Sequence, residues 1–233
     1  MASAGTPASF SSTKETTNYA RLCRLLVDVG SLVIRDTFDK IHPPASLHTN
    51  LTTTHHSTLL ALRSRRVLNV TQWGKLYPVI HSSVSSRDFD ITLLTVLLRN
   101  ICGLSPPATG WDALPPTADV STEANIARVK YFRNTVYGHA DQASVDDATF
   151  NAYWKNIRDA LISLGGAKYE SAIDDLKNEC MDPEIADHYE EMLKEWKKDE
   201  DNIKDVLKEI QRELEELKVS TSKSQAKGMF LIC

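Results

Sequence analysis

An all-α fold is predicted by three features of the 233-residue sequence. Apolar residues recur at spacings of three and four in several separated stretches, the mark of helices that bury one stripe. No segment alternates apolar and polar residues as a half-buried strand does. The breaks between stretches fall at proline and glycine clusters, which end helices. About five such helices close most simply as a bundle.

Residues 1–17 are mostly Ser, Thr, Ala and Gly, too poor in large apolar groups to offset the entropy of ordering, and read as a flexible leader. From Tyr19, the stripe Leu22, Leu25, Leu26, Val29, Leu32 and Val33 predicts a helix that stops before Pro43-Pro44. Leu59, Leu60 and Leu62 precede the basic run Arg63, Arg65 and Arg66; Trp73, Leu76 and Tyr77 follow, limited by Pro78. These are short helices joined by loop. The dense apolar run Ile91–Ile101, with Ser86 and Asp88 as candidate caps and Gly103 as its stop, predicts the central core helix. Pro106, Pro107, Gly110, Pro115 and Pro116 make a structured loop anchored by Trp111. Ser121 then caps a helix carrying Ile126, Val129, Phe132 and Val136 to Gly138, and a further helix runs from Asp146 to Leu164 before Gly165-Gly166. The bundle is therefore placed at residues 18–166.

A helical extension over 167–219 follows, with residues 220–233 as a flexible tail. A short helix near Ile173 and Leu176 precedes Asp182-Pro183 and a long helix. In that helix Tyr189, Trp196, Ile203, Ile210 and Leu217 recur every seven residues, and Leu193, Glu200, Leu207 and Leu214 form the offset series. This spacing predicts a coiled-coil seam with one polar break at Glu200, able to take a second copy or another helical protein. Packing back onto the bundle is the competing reading for the end from Tyr189 to Trp196.

Charge is uneven. Residues 1–166 carry 16 Lys and Arg against 13 Asp and Glu, whereas residues 167–233 carry 11 against 18. Only the first part suits nucleic acid, and its small excess predicts a local, salt-sensitive contact. No apolar run approaches the roughly 18–20 residues that span a bilayer. Cys23, Cys102, Cys180 and Cys233 are scattered, without the paired spacing of a zinc module or a disulfide framework. A cytoplasmic protein with no membrane contact is expected. No phosphate-binding glycine loop or nucleophile elbow occurs, and no cofactor is expected. His42, His48, His55 and His56 lack a cysteine or carboxylate partner at ligand spacing, so the expected reading is polar loop with no metal. Arg63, Arg65, Arg66 and Tyr137 are the candidate binding residues, the three arginines being either phosphate contacts or a solvated helix end.

The segment Arg133-Asn134-Thr135-Val136-Tyr137-Gly138-His139 brings a permanent cation, an amide and a titratable imidazole close together in sequence. Together with Asp39-Lys40-Ile41-His42-Pro43-Pro44, Phe89-Asp90-Ile91-Thr92-Leu93-Leu94, Leu98-Arg99-Asn100-Ile101-Cys102-Gly103-Leu104 and Gly110-Trp111-Asp112, it resembles the HEPN domain found in DAZ-interacting RING-type E3 ligases. The resemblance covers residues 19–166. It implies a helical bundle that dimerises, and it implies the company of innate-defence and signalling proteins. The ligase RING itself is absent, because four scattered cysteines cannot form its zinc sites.

For Arg133, Asn134 and His139 the resemblance implies a metal-independent ribonuclease site. His139 would assist proton transfer as an RNA 2′-hydroxyl attacks its phosphate, Arg133 would stabilise the phosphate charge, and Asn134 would position the arginine. The residues themselves leave a second reading open. Six residues of unbroken helix leave two side chains about 120° apart. His139 would then sit at the carbonyl end of the helix, Arg133 would pair with Asp141 or Asp146, and Tyr137 would pack in the core or at an interface. Two functions follow: an oligomerising scaffold that binds RNA or protein partners, or an endoribonuclease whose cleft forms across a homodimer.

Overall fold

The computed structural model describes residues 13–80, 83–139, 143–179, 187–189, 191–195, 198, 201, 205, 208, 209, 211–213, 215 and 216. Among these the regular structure is helical. The chain divides into two compact units, Met1–Thr37 with Ser105–Glu195, and Phe38–Leu104 with Trp196–Cys233.

In the first unit, α1 (Lys14–Arg24) starts five residues before Tyr19. Residues 14–17, which composition places in the leader, form its first turn because Thr13 and Thr16 cap each other reciprocally. The helical path widens into a π-helical stretch, Leu25–Gly30, and continues as α2 (Ser31–Ile41). α7 (Thr122–Tyr137) pairs along α8 (Asp147–Gly165), and α1 packs on both. Ser121 caps α7 as expected, accepting from Ala124 N–H; Asp146, expected as the start of the next helix, is its cap and accepts from Ala148 and Thr149 N–H. Gly165 is required by a close approach, since a Cβ there would lie 2.5 Å from the Tyr169 ring, and Gly166 adopts φ 87°. α9 (Glu170–Asn178) buries Ile173 and Leu176 and packs against the π-helical stretch.

In the second unit, α3 (Leu47–Thr49) and a π-helical stretch, Asn50–Thr54, precede α4 (His56–Ser64) and α5 (Val70–Leu76). The histidine-rich segment expected as loop is thus largely helical. α6 (Ile91–Ile101) is buried at Ile91–Leu98 and Ile101, as its composition predicts. Its cap is Asp90, whose carboxylate accepts from Leu93 N–H at 2.8 Å, rather than Ser86 or Asp88, which form a 3₁₀ turn.

α6 is not the sole helix buried on most sides. α7 buries Ala124 through Lys130, then Phe132, Arg133 and Val136. Periodicity does not reveal this, because the buried set includes Asn125, Arg128, Lys130 and Arg133. Two of these cations hold the proline-rich loop. The Arg128 guanidinium donates to Asn125 Oδ1 at 2.6 Å and to the carbonyls of Pro116 and Asp119, and the Lys130 ammonium meets the Asp112 carboxylate. Trp111, the expected anchor, is half-buried, and charge-assisted hydrogen bonds from α7 also fasten the loop.

Candidate functional site

The end of α7 carries the Arg133-Asn134 pair and His139. α7 ends at Tyr137; Gly138 stays right-handed at φ −59°, with its N–H donating to Asn134 O, and His139 N–H donates to Val136 O at 3.0 Å. The last turn therefore tightens, and His139 lies on the turn beyond the helix. The straight-helix offset of six residues does not apply there. His139 is half-exposed, its ring 6.2 Å from the Tyr153 ring of α8. Tyr153 also lies 5.4 Å from Phe132. Burial, with Tyr131 and Asp146 nearby, raises the Tyr153 phenol, so its hydroxyl stays protonated at neutral pH.

Arg133 is only 2% exposed. Its Nε and Nη2 both donate to Asn134 Oδ1, at 3.2 and 3.0 Å. The amide next in sequence thus orients the guanidinium. Asn134 and Tyr137 are half-exposed. Of the carboxylates considered for Arg133, Asp146 is engaged at the start of α8, where Thr149 Oγ donates to it at 2.6 Å and holds it below the usual carboxylate range. Asp141 lies outside the described residues.

The residues at the start of α8 are held by α1. Buried Asn18 donates to Val145 O at 3.1 Å and to Asp147 Oδ1 at 2.9 Å, Val145 N–H donates to Glu15 O at 3.1 Å, and Lys14 pairs with Asp147. Sequence reasoning missed Asn18 and Tyr153. Asn18 falls in the polar lead-in to the first apolar stripe, and Tyr153, three residues after Phe150 and four before Ile157, reads as one more member of the apolar stripe of its helix, so neither stands out locally.

The family model described as DZIP3/hRUL138-like HEPN matches residues 44–189. This chain is a HEPN protein of that family. Among curated proteins it is similar to the E3 ubiquitin-protein ligase DZIP3 of Homo sapiens, 27% identical over 150 residues, and to that of Mus musculus, 28% identical over 150 residues. In each case the match covers 63% of this chain and 12% of the relative, so the chain corresponds to a small part of those proteins. No solved structure matches it. The matched range contains Arg133, Asn134 and His139; it begins at Pro44, after residues 19–43 of the motif resemblance, and runs past residue 166 through α9 to Tyr189.

The HEPN chain's other candidate residues divide by location. Arg65 and Arg66 are exposed at the end of α4, and Arg63 is half-buried with its guanidinium 5.7 Å from the Trp73 ring. Arg66 adopts φ 58°, and Val67 N–H closes onto Leu62 O at 2.9 Å, a helix stop of the kind glycine usually supplies. His42 is buried against Phe38, with its Nε2 3.3 Å from Ile101 O, and it meets the His55 ring edge-on at 5.0 Å. Burial, then His42, lowers the His55 pKa. Burial pushes the Cys102 thiol up to about 12 and the Tyr77 phenol to about 12, so neither is a nucleophile or base near neutrality. Among the described residues no three His, Cys, Asp or Glu side chains are grouped to hold a metal ion, and no helix is long and apolar enough to cross a membrane.

Of the predicted seam, Tyr189 donates from its hydroxyl to Asp28 Oδ2 at 2.7 Å, under the Arg24 guanidinium, and Leu193 is fully buried. That end packs onto the first unit. Trp196, Ile203, Leu207, Ile210, Leu214 and Leu217 lie outside the described residues.

Proposed function

We propose that this chain is a HEPN module that works by assembling with a second copy and presenting a binding surface to RNA or protein partners, in a signalling or defence setting. One observation carries this reading. The Arg133 guanidinium is buried and directed onto Asn134 Oδ1, so within one chain it serves the structure of α7 and offers little surface to a phosphate. A catalytic cation must instead strengthen its hold as charge develops on the substrate. The competing reading, a metal-independent endoribonuclease, is favoured by the tightened turn that leaves His139 half-exposed beyond the helix. A proton carrier needs such access.

The test is cleavage of labelled RNAs in the presence of a chelator, comparing wild type with His139→Ala and Arg133→Lys after their masses in solution have been measured. The assembly reading expects a dimer with no cleavage above the buffer control. Products ending in a 2′,3′-cyclic phosphate, made by wild type and lost in His139→Ala of unchanged mass, would replace it with the nuclease.

A further inference from the structure

From Ile41 to Arg87 the chain contains no Asp or Glu, yet carries Arg63, Arg65, Arg66, Lys75 and Arg87 together with five of the seven histidines. This stretch sits in a chain whose net charge is −4. Within it α4 meets α5 and its C-terminal end through the side chains of His56 and Arg63. His56, Leu60 and Arg63 fall at helical spacing on α4, and Val70 and Trp73 do so on α5, with Tyr77 just beyond as its C-cap. The His56 ring is 5.4 Å from Tyr77 and 6.5 Å from Trp73, and the Arg63 guanidinium lies over Trp73. The seam is nevertheless open. Leu60 is 47% and Val70 75% exposed, with exposed Arg65 and Arg66 at one end.

We propose that this seam docks the acidic heptad segment of a second copy of the chain. The inference rests on the assembly reading above and names the surfaces that assemble. Charge complementarity is its first support: residues 182–219 hold 14 Asp and Glu against 7 Lys and Arg. Shape is the second. Ile203, Leu207, Ile210, Leu214 and Leu217 give that segment the i, i+3, i+4, i+7 apolar pattern by which a helix is read in a groove. Exposed Leu60 and Val70 would lose water contact against such a stripe, whereas an RNA strand offers aliphatic side chains no equivalent cover. The segment is taken from a second copy in keeping with the assembly reading, and the exposed Leu60 and Val70 are the apolar positions it would cover.

The experiment is sedimentation equilibrium of the full chain as wild type, Arg63→Glu/Arg65→Glu, Glu215→Lys/Glu216→Lys, the four-site combination and Leu60→Ser, with far-UV circular dichroism confirming each fold. The proposal expects self-association weakened on the order of tenfold by either charge-reversed pair. It expects Leu60→Ser to weaken it too, and the four-site chain to recover to within roughly threefold of wild type. A dimeric wild type whose association none of these changes moves would overturn the seam and leave assembly standing. A monomeric wild type would overturn both. Retention of labelled oligouridine by wild type, lost in Arg63→Glu/Arg65→Glu with no change in mass, would make the seam an RNA surface instead.

Discussion

At the end of α7 Arg133 is almost wholly buried and bonded to its neighbour Asn134, whereas at the end of α4 Arg65 and Arg66 stand in solvent. All three lie within a turn or so of a helix C-terminus, where a cation is favoured by the helix dipole. Their surroundings set them apart. α7 is enclosed by α8 and α1, so its polar side chains must find partners inside the protein, and Arg128, Lys130 and Arg133 become structural. α4 is covered on one stripe only, at Leu59 and Leu62, and its basic end keeps its hydration. The same residue type is therefore bonded inside the protein in one unit and left hydrated at the surface in the other.

The largest test of this contrast is Arg133→Ala. Loss of the buried guanidinium and its bonds should cost about 2–4 kcal/mol in urea unfolding. A change under about 0.5 kcal/mol would mean that the site is built to give up that cation to a ligand. Asn18→Ala comes next. It strands the buried Val145 carbonyl and should cost about 1–3 kcal/mol, while speeding amide exchange at Val145. Unaltered exchange there would show that Asn18 does not hold the residues just before α8.

Arg65→Ala should change stability by no more than about 0.5 kcal/mol, as surface substitutions do. A larger loss on thermal melting would put α4 in the same structural class as α7. The smallest effect concerns acid. Lys14 first, then Asn18, hold the Asp147 carboxyl below its ordinary value, and Arg158 does the same for Asp174. A depressed folded-state pKa stabilises above the unfolded value near 4 and loses that contribution as pH falls through the folded value. The melting temperature of Asp147→Asn should therefore fall less than that of wild type between about pH 4 and pH 2. Parallel curves would show that the Lys14 and Asn18 contacts do not persist in solution.

Much of the fold was legible because the signals are local. Ser121 and Asp146 cap their helices through side chains two or three residues from the N–H groups they satisfy, and Gly166 ends α8 with a conformation other residues resist. The π-helical stretches were not legible, because Leu25, Leu26 and Val29 suit an α-helix equally well. Nor was the choice of Asp90 over Ser86 and Asp88 as the cap of α6, since all three are good caps and only the chain path selects one.

The candidate site was half legible. Its residue types stand in the sequence, but burial does not, and burial decides what an arginine can do.

By itself, the sequence determined the helical class, most helix ends, the HEPN family motifs and the acidic C-terminal portion, because each depends on residue type and spacing over a few turns. The tertiary structure alone decided that α7 is enclosed, that Asn134 takes the Arg133 guanidinium, that Tyr153 faces His139 and that Asn18 ties down the segment before α8. Those outcomes depend on which side chains from distant positions are brought together and cut off from water. A buried polar group must bond to whatever its neighbours provide, and the neighbours of α7 come from helices more than a hundred residues away in the case of α1.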